Sequence, residues 1–272
     1  MAIEFQWTYG SEAGNCYAEE LMPGYATADG IDDPDPDLLG AVCARRDGEL
    51  LGFAEVHATS PTAAWVQAAY APRIIRAMVA GYYDMDPATA EETAIIGKLI
   101  EQCADYARSE GYTVLRWEGQ NTGPEGQAAV ALDAQTAAEY ARTWTVVPAD
   151  WQAPHTLPPL EPVSTLADTG DGPETTPLEL TVDTPTASIS AAIMDSDAYV
   201  NIGEALSHPA DIDPVVLAAL FGALVTELRR QAPGVRLLTV IEFDDETART
   251  ALELSGLTLA ARFENYELPL TS

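Results

Sequence analysis

Lysine is almost missing from this chain. Of its 272 residues 13 are basic, and Lys98 alone among them is a lysine, against 43 aspartates and glutamates. A chain so poor in cations cannot build the basic patch that nucleic acid or an anionic membrane requires, so neither is expected as a partner. Acidity of this kind fits solubility in a salty cytoplasm, or a high-GC genome. Cysteine is scarce too: Cys16, Cys43 and Cys103 are odd in number and far apart, which argues against a disulfide framework and for a reducing cytoplasm. Histidine occurs at 57, 155 and 208 only, and no Cys or His pair has metal-ligand spacing, so no metal is expected. The longest apolar run, VVLAALFGALV at 215 to 225, falls short of the roughly 20 residues that span a bilayer and reads as a buried helix. MAIEFQWTYG lacks a basic region followed by an apolar run, so no signal peptide is expected and the protein is read as cytoplasmic. There is no Gly-x-Ser-x-Gly elbow and no Gly-x-x-x-x-Gly-Lys loop.

What the chain has is a repeat. DMDP at 84 to 87 and DIDP at 211 to 214 each open a predicted helix. The first carries Ile95, Ile96, Leu99, Ile100, Cys103 and Tyr106 at core-facing spacing and leads into the strand YTVLRWEG. The second carries Val215, Val216, Leu220, Leu224 and Leu228, stops at QAPG, and leads into VRLLTVIEF. A further helix is expected after each strand, over 127 to 142 and 244 to 255, and a last strand over TLAARFENYEL. Upstream of DMDP, LLGAVCARR and ELLGFAEVHAT are joined by Asp47-Gly48, a tight hairpin turn. Hairpins need antiparallel strands and a helical crossover needs parallel ones, so each half predicts an α/β fold with a mixed sheet. Between 148 and 185 eight prolines mix with Ser, Thr, Gly and Asp, and periodicity vanishes. The expected division is a domain over 1–147, a Pro-rich linker over 148–177 and a shorter, truncated domain over 178–272, which lacks the first strand or borrows it from the linker.

GAVCARRDGELLGFAEV in the first half and DDETARTALELSGLTLAARFENYEL at the end of the second carry a resemblance to the GCN5-related N-acetyltransferases (GNAT), in the tandem arrangement of mycothiol-synthase-like proteins. Asp245 stands where that family commonly has an Asn, and Gly256-Leu257 where it has Gly-Phe. The resemblance implies acetyl-CoA as acyl donor and a small-molecule or protein amine as acceptor. It also implies that the coenzyme pyrophosphate is wrapped by a loop of the form Gln/Arg-x-x-Gly-x-Gly/Ala at the entrance of the helix after the fourth strand. Neither DMDPATAEET nor SHPADIDPVV contains a glycine there, so close backbone approach to phosphate is impaired in both.

Charge separates the two entrances. In the first, Asp86 and Thr89 with Glu92 are expected as caps and Pro87 as the first helical residue, and Asp84, Asp86, Glu91 and Glu92 crowd the helix end. A like-charge pair about 6 Å apart costs roughly 0.7 kcal/mol even in water, comparable to what a helix end offers an anion. The second has Asp211 and Asp213 ahead of it but Pro214, Val215 and Val216 in its first turn, with His208 nearby as a source of positive charge. Coenzyme binding is therefore assigned to His208, Asp213, Val215 and Val216. By the resemblance the fourth strand supplies a base, which in AYVNIGEALSHP is Glu204, acting through a water. The family's acid, a tyrosine of the last helix, falls at Leu252, leaving Tyr266 or Tyr199 in the second half and Tyr140 in the first. Trp65, Trp117, Trp144 and Trp151 either line a cleft or pack in the core. The resemblance thus leads to an N-acyltransferase whose site is in the second half. The alternative it leaves open is a catalytically inactive binding or assembly protein that has lost coenzyme A.

Overall fold

The computed structural model describes residues 2–9, 13, 17, 21, 36–80, 87–168, 178–194 and 196–270. The described chain forms two compact units, one of residues 1–139 with 263–272 and one of residues 140–262.

In the first unit, β1 (Glu4–Tyr9), β2 (Leu38–Arg46), β3 (Glu49–Ala58) and β4 (Ala63–Tyr70) form an antiparallel meander. Asp47 and Gly48 both adopt positive φ, 52° and 88°, as the tight turn between β2 and β3 requires. Helix α1 (Ala71–Ala80) follows β4, and α2 (Ala90–Ser109) crosses back so that β5 (Val114–Gln120) runs parallel to β4. Helix α2 buries Ile95, Ile96, Leu99, Ile100 and Cys103 on the sheet, each fully buried aliphatic side chain contributing about 1.5–3 kcal/mol. It can lie that close because β3 has a glycine beneath it: a Cβ on Gly52 would stand 3.0 Å from Ile95 Cγ2 and 2.8 Å from the Ala69 carbonyl oxygen. Helix α3 (Pro124–Ala131) follows β5. The sixth strand of this sheet is the second half of β13 (Thr258–Pro269), antiparallel to β5 from Phe263↔Gln120 to Pro269↔Val114.

The second unit repeats the plan. Strands β7 (Val163–Asp168), β8 (Leu178–Asp183), β9 (Ser188–Met194) and β10 (Asp197–Asn201) form an antiparallel meander. After the short α4 (Ile202–Ala205) and β11 (Leu206–Ser207), which returns to β9, the long α5 (Pro214–Gln231) crosses over to β12 (Leu237–Glu242), parallel to β10. Helix α6 (Glu246–Leu254) then leads into β13. The sixth strand here is the second half of β6 (Gln135–Val146), antiparallel to β12 over Arg142–Val146. The last strand of each half is thus supplied to the sheet of the other half.

Three expectations are corrected by this arrangement. The helix expected over 127–142 stops at Ala131, Asp133 turns the chain with a φ of 59°, and Gln135 begins β6, whose last residues, Arg142–Val146, pair with β12; strand pairing here outweighs the helical preference of an alanine-rich segment. The expected division at 147 and 178 moves, since β6 and β13 change sheets and residues 163–168 of the expected linker are a paired strand. The second unit therefore takes its first strand from that segment. It remains the shorter one, with residues 169–177 between its first two strands where the first unit has 10–37. Finally, α2 begins at Ala90 with Thr89 as its N-cap, so Pro87 is outside the helix. Asp84 and Asp86 lie outside the described residues, as does Cys16. Cys43 and Cys103 are buried and not disulfide-bonded.

Candidate functional site

In open α/β sheets ligands bind beyond the carboxyl ends of parallel strands, and each unit has one such place. In the first it lies past β4 and β5. These strands pair only over Ala63–Trp65 and Val114–Arg116, and β4 then runs on to Tyr70. The entrance of α2 beside it is filled with the chain's own charges. The Glu92 amide donates to the Thr89 hydroxyl at 3.1 Å, but the Glu92 carboxylate does not complete a capping box, because Arg73 of α1 binds both its oxygens. Arg46 donates to Glu91 at 2.6 Å and holds its carboxyl below the usual range, and the Tyr70 hydroxyl reaches the same carboxylate at 3.3 Å. Glu125, in the first turn of α3, lies over Gly119 of β5, and burial pushes its carboxyl above the usual range. This entrance does not fit a pyrophosphate: Glu91 and Glu92 stand where the anion would, and each arginine already has a carboxylate.

In the second unit β10 and β12 pair over the whole of β10, Asp197–Asn201 against Leu237–Ile241. Asn201 turns the chain into α4, its side chain accepting the Gly203 amide at 3.1 Å. Glu204 sits on α4, a single helical turn beyond β10 rather than on a strand as expected, and is exposed. His208 and Asp213 follow on the loop to α5. The His208 Nδ1 lies 2.8 Å from the Pro209 carbonyl oxygen, and its Nε2 lies 3.6 Å from Asp245 Oδ2. Asp213 caps α5 by accepting the Val215 amide at 2.9 Å, while the Val216 and Leu217 amides donate to its carbonyl. The first turn of α5 carries no acid, and Val215 is exposed. At this entrance Asp213, an exposed residue, accepts the Val215, Val216 and Leu217 amides, and no acid follows it within the first turn.

At the end of β12, Glu242 is completely buried, accepts the Asp245 amide at 2.7 Å and is held by the Arg249 guanidinium. Asp245 N-caps α6 through the Ala248 amide, so the position where the resembled family has Asn keeps a capping residue. Sequence reasoning missed Glu242 and Arg249. Their spacing of seven on either side of a cap is the signal they left, legible only once Glu242 is known to end a strand.

The remaining candidates are not brought to this place. Tyr266 is on β13 in the first unit, 3% exposed and packed against Trp117 at 5.8 Å between ring centroids. Tyr140 is on β6, a strand rather than the expected helix, and Tyr199 is on β10. Leu252 is fully buried in the second core. Trp117, Trp144 and Trp151 are core residues and Trp65 is half-buried on β4. His57 pairs with Glu55 on β3, its Nε2 3.3 Å from Oε2, and Tyr17 donates to the other oxygen of that carboxylate. Among the described residues no three His, Cys, Asp or Glu are grouped to hold a metal ion, and no helix is long and apolar enough to cross a membrane.

No protein-family model matches the chain, and no curated protein does. Among solved structures it is similar to a tandem GNAT protein from the clavulanic acid biosynthesis pathway, at 13% identity over 100% of this chain and 99% of that one, with a TM-score of 0.47. It is also similar to a GNAT-family acetyltransferase from Colwellia psychrerythraea (12%, 98% of this chain and 100% of that, TM-score 0.46) and a GCN5-related N-acetyltransferase from Sphaerobacter thermophilus (12%, 99% and 96%, TM-score 0.41).

Proposed function

We propose that the protein is an acyl-CoA-dependent N-acyltransferase whose working site is in the second unit, past the ends of β10 and β12. The observation that carries this reading is the contrast between the two helix entrances. The first turn of α2 holds Glu91 and Glu92, both bound by arginines, whereas that of α5 holds Pro214, Val215 and Val216 and no acid. A coenzyme phosphate would displace the Asp213 carboxylate from the Val215 amide, with His208 on the same loop. The coenzyme would supply the activated acyl thioester. The chain would supply Glu204, which stands exposed one turn past β10 and can draw a proton from the acceptor amine through a water.

A second reading is a non-catalytic binding module, and one observation favours it. Pro214 has no amide hydrogen, and the Val215, Val216 and Leu217 amides already have partners in Asp213, so a pyrophosphate gains amides only by breaking the cap.

Calorimetric titration of the full chain with acetyl-CoA separates the two. Binding that Asp213→Ala strengthens and Arg46→Ala leaves unchanged supports the transferase with its site in the second unit. Absence of heat at millimolar coenzyme supports the module. Given an amine that is turned over, Glu204→Gln should lower kcat by about 100-fold or more without weakening coenzyme binding.

A further inference from the structure

The segment from Trp151 to Pro162 lies along α5 and leaves a cavity of about 320 Å³ against it. That volume is at the lower end of small-molecule pockets, which run from about 300 to 1,000 Å³. The helix face that lines it is opposite the core. Leu217, Phe221, Leu224 and Leu228 belong to the core cluster, while Ala219, Gly222, Ala223 and Thr226, three and four residues apart, form the floor of the cavity. Trp151, Leu157, Leu160 and four prolines form the wall. The wall is propped from within the fold. Trp151 and Leu157 close on the helix at Gly222, where a Cβ would stand 3.2 and 3.3 Å from them, and Arg229 donates to the Trp151 carbonyl at 3.1 Å. None of these residues is among those gathered past the ends of β10 and β12.

The polar groups of the lining are few and of one kind. The Trp151 Nε1 hydrogen is given to the Ser255 carbonyl at 2.9 Å, the Thr226 hydroxyl hydrogen to the Gly222 carbonyl at 2.8 Å, and prolines have no amide hydrogen. The acceptor that remains is Glu227. Its Oε2 receives Ser164, Arg230 Nη2 and Gln231 at 2.6 to 2.8 Å, whereas among the described residues its Oε1 receives Arg230 Nε alone, at 3.3 Å. A carboxylate oxygen accepts two hydrogen bonds, so Oε1 has room for a short one. An anionic ligand would meet this carboxylate with no side-chain donor to hold it. A cationic one gains little, because Arg230 already neutralises Glu227 from the exposed side.

We infer that this cavity binds a small uncharged aromatic molecule carrying one N–H or O–H, which it donates to Glu227 Oε1. The ring lies between the floor of α5 and the wall, where proline rings and the Trp151 indole offer it flat apolar surfaces. Its occupation does not depend on acyl transfer.

The test is equilibrium dialysis of the full chain against indole, 1-methylindole and indole-3-acetate at neutral pH. Indole should be retained saturably. 1-Methylindole, close to it in shape but without the N–H, should bind about tenfold more weakly, as for loss of a hydrogen bond to a charged acceptor, and the anionic indole-3-acetate should not be retained. Glu227→Gln should bring indole down towards 1-methylindole and leave 1-methylindole as it was. Ala223→Leu, whose side chain enters the cavity rather than the core, should abolish retention of both, with thermal unfolding to show that it is folded. No retention of indole at millimolar concentration, equal retention of indole and 1-methylindole, or retention unaltered in a folded Ala223→Leu would overturn the site. Should Ala223→Leu not fold, the ratio of indole to 1-methylindole in the unsubstituted chain and in Glu227→Gln decides by itself.

Discussion

Glu92 and Arg73 form a two-pronged pair at the start of α2, with Nε to Oε1 at 2.7 Å and Nη2 to Oε2 at 2.8 Å. Glu92 is 5% exposed, so removing the guanidinium would leave a buried carboxylate without its main partner. Arg73→Ala should cost about 3 kcal/mol in a urea unfolding titration. The double substitution Arg73→Met with Glu92→Leu should cost less than the single one, because no charge is then left behind. A single substitution milder than the double would show that the pair is not desolvated.

Acid should loosen the second unit through Glu227. Arg230, with Ser164 and Gln231, surrounds its carboxylate with donors and holds its pKa at about 2, against an ordinary 4.5. A carboxyl depressed in the folded state favours folding at pH above the unfolded value, and that contribution is lost as pH falls from about 4.5 to about 2. Glu227→Gln should therefore flatten the dependence of unfolding free energy on pH in that window and leave its slope near neutrality unaltered. Denaturant midpoints measured across the window check this.

Trp151 belongs to the core although it precedes a proline-rich segment. Its Nε1–H donates to the Ser255 carbonyl at 2.9 Å, and Gly222 of α5 makes room for it: a Cβ there would stand 3.2 Å from the Trp151 ring. Trp151→Ala should destabilise the protein by about 3–5 kcal/mol. Gly222→Ala should destabilise it in the same direction by overpacking, by about 1–3 kcal/mol. Thermal unfolding of both variants reads the two costs.

The first unit needs the far end of the chain. Without residues 263–270, β5 loses its antiparallel partner and Trp117 loses the Tyr266 ring that packs on it. A chain ending at Arg262 should lose the cooperative unfolding of the first unit while the second unit, whose strands remain, keeps its own. Hydrogen exchange resolved by peptide would show β2 to β5 unprotected and β8 to β12 protected. Protection retained in β5 would contradict this.

Local chemistry fixed much of the molecule before any folding was considered. Asp47-Gly48 demands a tight turn, Asp213-Pro214 and Asp245 demand helix starts, and the apolar spacing from Ile95 to Cys103 demands a buried helix face; each is a contest among neighbours within a few residues, and each is found. The mixed-sheet plan follows from them, because a hairpin and a helical crossover allow only certain strand directions. Tertiary structure decided what depends on distant partners. Residues 135–142 have a helical composition yet form a strand, which runs on into the Arg142–Val146 pairing with β12 from almost a hundred residues away. Residues 163–168 look like linker and are a strand because β8 pairs with them, and Tyr266 looks available for chemistry but is buried by Trp117. The pairing of His208 with Asp245 was equally hidden: neither residue carries a mark of the other, and only the parallel crossover from β10 to β12 brings their loops to one place.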